Sequence, residues 1–208
     1  PGVGGKSLND QNTRVFLGGG GGAGHANNHM ITDGGAGGGI VIIMANNIAG
    51  NSNKILANGA AGGISIHDGG GGGGAGGSIL LYTDEISNTL RTEAIGGDGG
   101  NAGGVTANRC YGPGGGGSGG VIWYKTNSAP SNLTINLAGG SNGLVTSLST
   151  SCLGLSNGAD SGQDGVENNK LEILTNAEYE TMPIANLGDD KAICDGDIIT
   201  LSSAEGNN

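Results

Sequence analysis

The chain reads as an all-β protein: a glycine-rich repeat of short strands joined to extended glycine segments. Three observations predict this. Glycine supplies 49 of 208 residues and proline only 4. A run of glycine passes directly into an apolar strand three times, at 33–44 (DGGAGGGIVIIM), 68–83 (DGGGGGGAGGSILLYT) and 113–126 (PGGGGSGGVIWYKT). Those strand segments are rich in β-branched and aromatic residues, as strands prefer.

The glycine runs have two readings. Ordering a glycine costs roughly 0.5–1 kcal/mol more than ordering an alanine, so a long run either stays a slack linker or is held by an offsetting interaction. The second reading is polyglycine II: extended helices of three residues per turn without internal hydrogen bonds, whose N–H and C=O groups point sideways and need partners on neighbouring segments. Only Ala36, Ala75 and Ser118 interrupt the glycines before the strands, and all three are small. Small side chains let backbones approach, so packed runs are the expectation. The Gly-X-Y period of collagen is absent.

Taking the chain in order, 15–17 (VFL) leads into Gly18-Gly19 as half a unit. This predicts a piece cut from a longer repeat series or one beginning with a cap. Aligning Gly35, Gly74 and Gly117 gives a repeat of about 40 residues. After each comes a strand, at 40–44, 79–83 and 122–126. In the first, Ile40 and Ile42 alternate with Val41 and Ile43, so both faces are expected to be covered. In the third, Trp123 and Lys125 lie opposite Ile122 and Tyr124; that face is expected to be partly open, and Trp123, Tyr124 and Tyr82 are the candidate contact surface. A polar turn at 46–53 precedes a second strand at 54–57, with counterparts at 92–95 and 134–138. Asn58-Gly59, Gly96-Gly97 and Gly139-Gly140 then suit tight reversals at positive φ. Residues 141–165 read as a long Ser/Asn/Gly loop and 166–174 as a closing strand. The regular spacing favours a β-solenoid; a β-sandwich with polyglycine insertions is the alternative.

Composition excludes several functions. Aromatic residues make up 3% and charged residues 12% of the chain, so any apolar core is thin and aliphatic. The formal charge is −10 with eight Lys and Arg, which argues against nucleic acid as a partner. No apolar run reaches the roughly 18 residues of a membrane-spanning helix, so no membrane insertion is expected. Starting at Pro1, the sequence reads as a mature product or an excised piece. Cysteine occurs three times. Cys110 falls 13 residues after Gly97 and Cys152 12 after Gly140, so adjacent repeats would set them side by side as a disulfide in an oxidising compartment. Cys194 is then left over.

Candidate chemistry is sparse. Gly5-Lys6-Ser7 resembles the end of a phosphate-binding loop, without the strand and helix that such a loop needs. His25, His29 and His67 sit in loop-forming sequence, and surface histidines are the reading; no metal site is assigned. Asp33 and Asp68, each before glycine, suit turns in which the carboxylate accepts a backbone N–H. Asp189, Asp190, Asp195 and Asp197 are the one candidate set for calcium, without EF-hand spacing. Asp84-Glu85 are chain neighbours that point to opposite faces of a strand, not a pair flanking a sugar. No catalytic residue is assigned, and the chain is not expected to be an enzyme.

Near 181–186 the composition changes. The expected division is a glycine-rich repeat domain over 1–182, then a linker and the start of a further domain over 183–208. Leu187-Gly188-Asp189-Asp190, Ile193-Cys194-Asp195-Gly196-Asp197 and Ile198-Ile199-Thr200-Leu201 resemble the opening of immunoglobulin-like repeats in giant surface proteins of gliding Bacteroidota, exported by the type IX secretion system. The glycine-rich repeats are similar in composition to segments of the same adhesins, and to polyglycine helices of some phage adhesins and of one receptor-kinase ectodomain. The resemblance implies an extracellular or outer-membrane-attached module of a large adhesin, with a role in surface attachment or gliding motility. Its implied partners are other domains of the same chain, the secretion and motility machinery, and a polysaccharide or solid surface. It implies no cofactor, and it implies that Cys194 bonds a cysteine near the end of its own domain. The structural reading is thus a stiff spacer or display scaffold. The alternatives are a parallel β-helix enzyme acting on polysaccharide, which requires clustered carboxylates with Arg or Lys, and a carbohydrate- or ice-binding module.

Overall fold

A computed structural model describes residues 1–8, 14–25, 32–104 and 108–171, which belong to one unit, Pro1–Leu171. The expected division at 182/183, Cys194, His29 and the aspartates of 189–197 lie outside the described residues.

Among the described residues there are seven strands and no helix: β1 (Ile40–Ala49), β2 (Lys54–Leu56), β3 (Ser78–Ser87), β4 (Leu90–Glu93), β5 (Val121–Tyr124), β6 (Leu133–Asn136) and β7 (Val166–Asn168). They form two wholly parallel sheets, β1-β3-β5-β7 and β2-β4-β6. Each strand pairs with its counterpart one repeat later. Ile40, Ser78, Val121 and Val166 stand side by side in one sheet, and Lys54, Arg91 and Thr134 in the other. Single bridges align Ser65, Ala102 and Val145 in a third row. The strands that follow the three glycine runs are therefore neighbours in one parallel sheet.

The core is aliphatic and thin. Ile79, Leu81 and Ile122 from the first sheet meet Leu90 and Leu133 from the second, with Ala57, Ala94, Ile86 and Tyr124 completing the cluster and Val41, Ile43, Ile55 and Ile135 at its margin. Burial of these side chains removes apolar surface at about 25 cal/mol per Å².

Four details differ from the sequence reading. Ile40 pairs with Ser78, not Ile79, so aligning Gly35 with Gly74 is one residue out. A slip of one reverses the faces of a strand: Val41 and Ile43 turn to the core, while Ile42 and Met44 are 55% and 60% exposed. Thus β1 is covered on one face only. Second, β1 and β3 continue through the expected polar turn, which closes only at Asn51 and Ser52, both at positive φ. Third, Gly59, Gly96, Gly97, Gly139 and Gly140 do not reverse the chain. None has positive φ, and all five donate from their amides to neighbouring segments. Fourth, the expected loop at 141–165 is in large part ordered by the same pairing, through Gly143 N–H to Gly114 O, Gly162 N–H to Gly140 O and Gly165 N–H to Leu137 O.

Candidate functional site

The expected contact surface is placed differently from the sequence reading. Trp123 and Tyr124 are 2% and 4% exposed, so the face of β5 is closed where an open one was expected. The alternation of β5 turns Ile122 and Tyr124 to the core, while Trp123 stands beside Leu80 on the other side. The phenol of Tyr124 donates to Glu167 on the neighbouring strand β7. Its pKa is pushed up to about 12, first by burial, then by that hydrogen bond and the carboxylate's charge. Of the three aromatic residues only Tyr82 is partly exposed. Lys125 lies 4.7 Å over the Tyr82 ring and pairs with Asp84. That hydrogen bond holds the Lys125 ammonium above its ordinary pKa. On the second sheet, Lys54 and Glu93 are 2.8 Å apart, and the bond to Lys54 lowers the Glu93 pKa.

No group of three His, Cys, Asp or Glu able to hold a metal ion occurs among the described residues. His25 lies 3.7 Å from Asp68. The Gly5 amide bonds Gly116 O within the glycine array, and no helix occurs among the described residues. Cys110 and Cys152 are joined in a disulfide with Cα atoms 5.9 Å apart, tying the segment before the glycine run 114–120 to the segment before 158–165.

The main feature is the array of glycine backbones. Residues 69–77 form its axis, and their amides choose partners in strict rotation. Gly69, Gly72 and Ala75 donate to His25, Gly22 and Gly19; Gly70, Gly73 and Gly76 to Gly112, Gly115 and Ser118; Gly71, Gly74 and Gly77 to Gly63, Ala60 and Ala57. Three neighbouring segments are thus addressed in turn, one at each third residue. Two further segments donate back: Gly35 and Gly38 to Gly72 O and Ala75 O, and Gly97 and Gly100 to Gly74 O and Gly71 O. Most of these N···O distances are 2.7–3.0 Å, with Gly69 at 3.3 Å, within the usual range of amide hydrogen bonds or a little beyond it. The backbone polar groups that side chains or water would otherwise satisfy are here satisfied by other backbones.

At many of these glycines such proximity leaves no room for a side chain. A Cβ on Gly74 would stand 2.1 Å from Ala36 O, and one on Gly71 2.2 Å from Asp33 O. Towards the array's margin, side-chain acceptors replace carbonyls. Asp98 accepts from the Ser141 amide, Asp164 from Gly139, Asn101 from Leu144 and Asn58 from Ile95. Carboxylates accepting backbone amides were expected at Asp33 and Asp68; Asp98 and Asp164 do so at positions where none was expected. The period-three pairing was legible only as a possibility of composition, because glycine carries no pattern that marks which segment meets which.

Compared with known protein families, curated proteins and solved structures, the chain matches none.

Proposed function

We propose that this chain is a structural module, a stiff spacer or display scaffold in a large secreted or cell-surface adhesin. Its strands would stack as a β-solenoid with the glycine segments packed alongside as polyglycine II helices. The observation that carries this reading is the rotation of hydrogen-bond partners along 69–77. Three neighbours in three residues is the period of a polyglycine II helix. A segment bonded on several sides cannot lengthen without breaking many hydrogen bonds together, and this makes a spacer stiff. Parallel pairing of each strand with the next repeat adds nearest-neighbour stabilisation of the stacked kind. The Cys110–Cys152 disulfide suits an oxidising exterior, and the net charge of −10 suits a solvated surface.

An enzyme acting on polysaccharide would need paired carboxylates facing a cleft. Asp84 is engaged with Lys125 and Glu167 with Tyr124, on separate strands and in separate pairings. The spacer reading is tested by pulling single molecules between residues 1 and 171. A stiff module resists and then yields in discrete steps. Smooth entropic extension through the glycine segments at low force would refute it.

A further inference from the structure

Among the described residues the glycine array is incomplete on one side. Around 69–77 the segments follow in the order 18–24, 33–39, 57–63, 94–100 and 112–120, each hydrogen-bonded to 69–77. Adjacent members also bond each other: Gly18 to Gly38, Ala60 to Ala36, Gly59 to Ile95 and Gly114 to Gly100. No described residue of 112–120 bonds 18–24. Between these two lies a groove, a sixth position around the axis. It comprises two hollows of about 390 and 510 Å³, the first lined by Gly73, Gly76 and Ser118 and the second by Gly70, Gly72 and Gly115, with residues of the N-terminal segment 1–8 lining both.

The groove is lined with hydrogen-bonding groups that are unused among the described residues. Along 69–77, the carbonyls of Gly71 and Gly74 accept from one neighbour and those of Gly72 and Ala75 from another. The third set, Gly70, Gly73 and Gly76, accepts from no described residue. Across the groove, Gly114, Gly117 and Gly120 donate to 94–100, and Gly116 and Gly119 to Asp160 and Gln163. The amides of Gly115 and Ser118 have no acceptor among the described residues. One wall therefore presents carbonyls at every third residue, and the other presents amides at the same interval. Buried backbone groups in this condition are uncommon.

We propose that this groove binds an extended, glycine-rich peptide segment supplied by a separate chain. Such a segment offers N–H groups to Gly70, Gly73 and Gly76 and C=O groups to Gly115 and Ser118, at the three-residue spacing of both walls. It is selected for bare backbone, because the groups left to pair with it are backbone carbonyls and amides at three-residue spacing. Recognition resembles strand addition at a sheet edge, with polyglycine pairing in place of the β ladder. The inference rests on the hydrogen-bond array and not on the spacer role, so either can fail without the other.

The test uses the full 208-residue chain with amide-resolved hydrogen exchange. The probe is a peptide copying 69–77 with a lysine at each end; the control has the same lysines and leucine at every third position. At a probe concentration about ten times its Kd, exchange at Gly115 and Ser118 should slow by about ten-fold, and the control should leave it unchanged. A Gly72→Leu variant should abolish the effect while Ile79 and Leu81 stay protected. The Cβ of residue 72 would lie between Gly22 N at 3.3 Å and Gly115 O at 3.8 Å, and the same row already carries the methyl of Ala75. If that variant does not fold, Gly22→Leu replaces it, since a Cβ there meets nothing within 4 Å. Four results would overturn the proposal: no slowing at millimolar probe, equal slowing by the control, undiminished binding by the folded variant, or Gly115 and Ser118 already protected without probe.

Discussion

At the scale of single residues, two glycines one position apart in role separate packing from slack. A Cβ on Gly74 would press on the backbone carbonyl of Ala36, which cannot swing aside as a side-chain end can. Gly74→Ala should therefore destabilise by about 1–3 kcal/mol, as overpacking does. Gly22, in the next segment, has nothing within 4 Å of such a Cβ and no positive φ. Gly22→Ala should be neutral or stabilise by about 0.4–1 kcal/mol, by restricting the unfolded chain. Denaturant midpoints of the two variants check the contrast. Tyr124 gives a second residue-level expectation. Its folded pKa is raised to about 12 against roughly 10 for an unfolded tyrosine. The stabilisation is therefore fully present below pH 10 and is lost as the pH climbs towards 12, where the unfolded chain releases its proton first. Tyr124→Phe should flatten that decline, measurable as thermal midpoints across the alkaline range.

At the scale of elements, the disulfide joins residues 42 apart in sequence. Loop-closure entropy gives about 4 kcal/mol for such a link, and measured effects are typically about 2–4 kcal/mol. Reduction, or a double Cys→Ala replacement, should lower the unfolding free energy by that order, read by chemical denaturation. The elements also show what the sequence made legible. Strand positions were legible because apolar runs such as Ile79-Leu80-Leu81 stand out against glycine. Register was less so: with glycine on both sides, nothing distinguished pairing Ile40 with Ile79 from pairing it with Ser78. The choice is made by which side chains reach the core, Val41 and Ile43 beside Ile79 and Leu81. For the same reason the exposed row Ile42 and Met44 was not foreseen, and Trp123 was expected on an open face although it is buried. Segments 141–145 and 160–165 looked like loop because Ser, Asn and Asp interrupt their glycines. In the fold Asp164 falls where a side chain has room and accepts the Gly139 amide, while the Ser141 and Leu144 amides donate to Asp98 and Asn101 of a neighbouring segment.

At the scale of the whole molecule, two kinds of cohesion run side by side. The sheets bury a modest aliphatic cluster, and the glycine segments contribute hydrogen bonds without side-chain burial. A typical hydrogen bond adds only about 0.5–1.5 kcal/mol net, and each ordered glycine costs extra backbone entropy. The array can thus stay formed only if its bonds act cooperatively and are shielded from water. That condition is what the spacer role requires, and amide hydrogen exchange at 69–77 tests it most directly. If the glycine backbones are mutually bonded, the amides of Gly71 to Gly77 exchange as slowly as those of Ile79 to Leu81. Exchange there at the rate of an unstructured peptide, with the strands still protected, would contradict it.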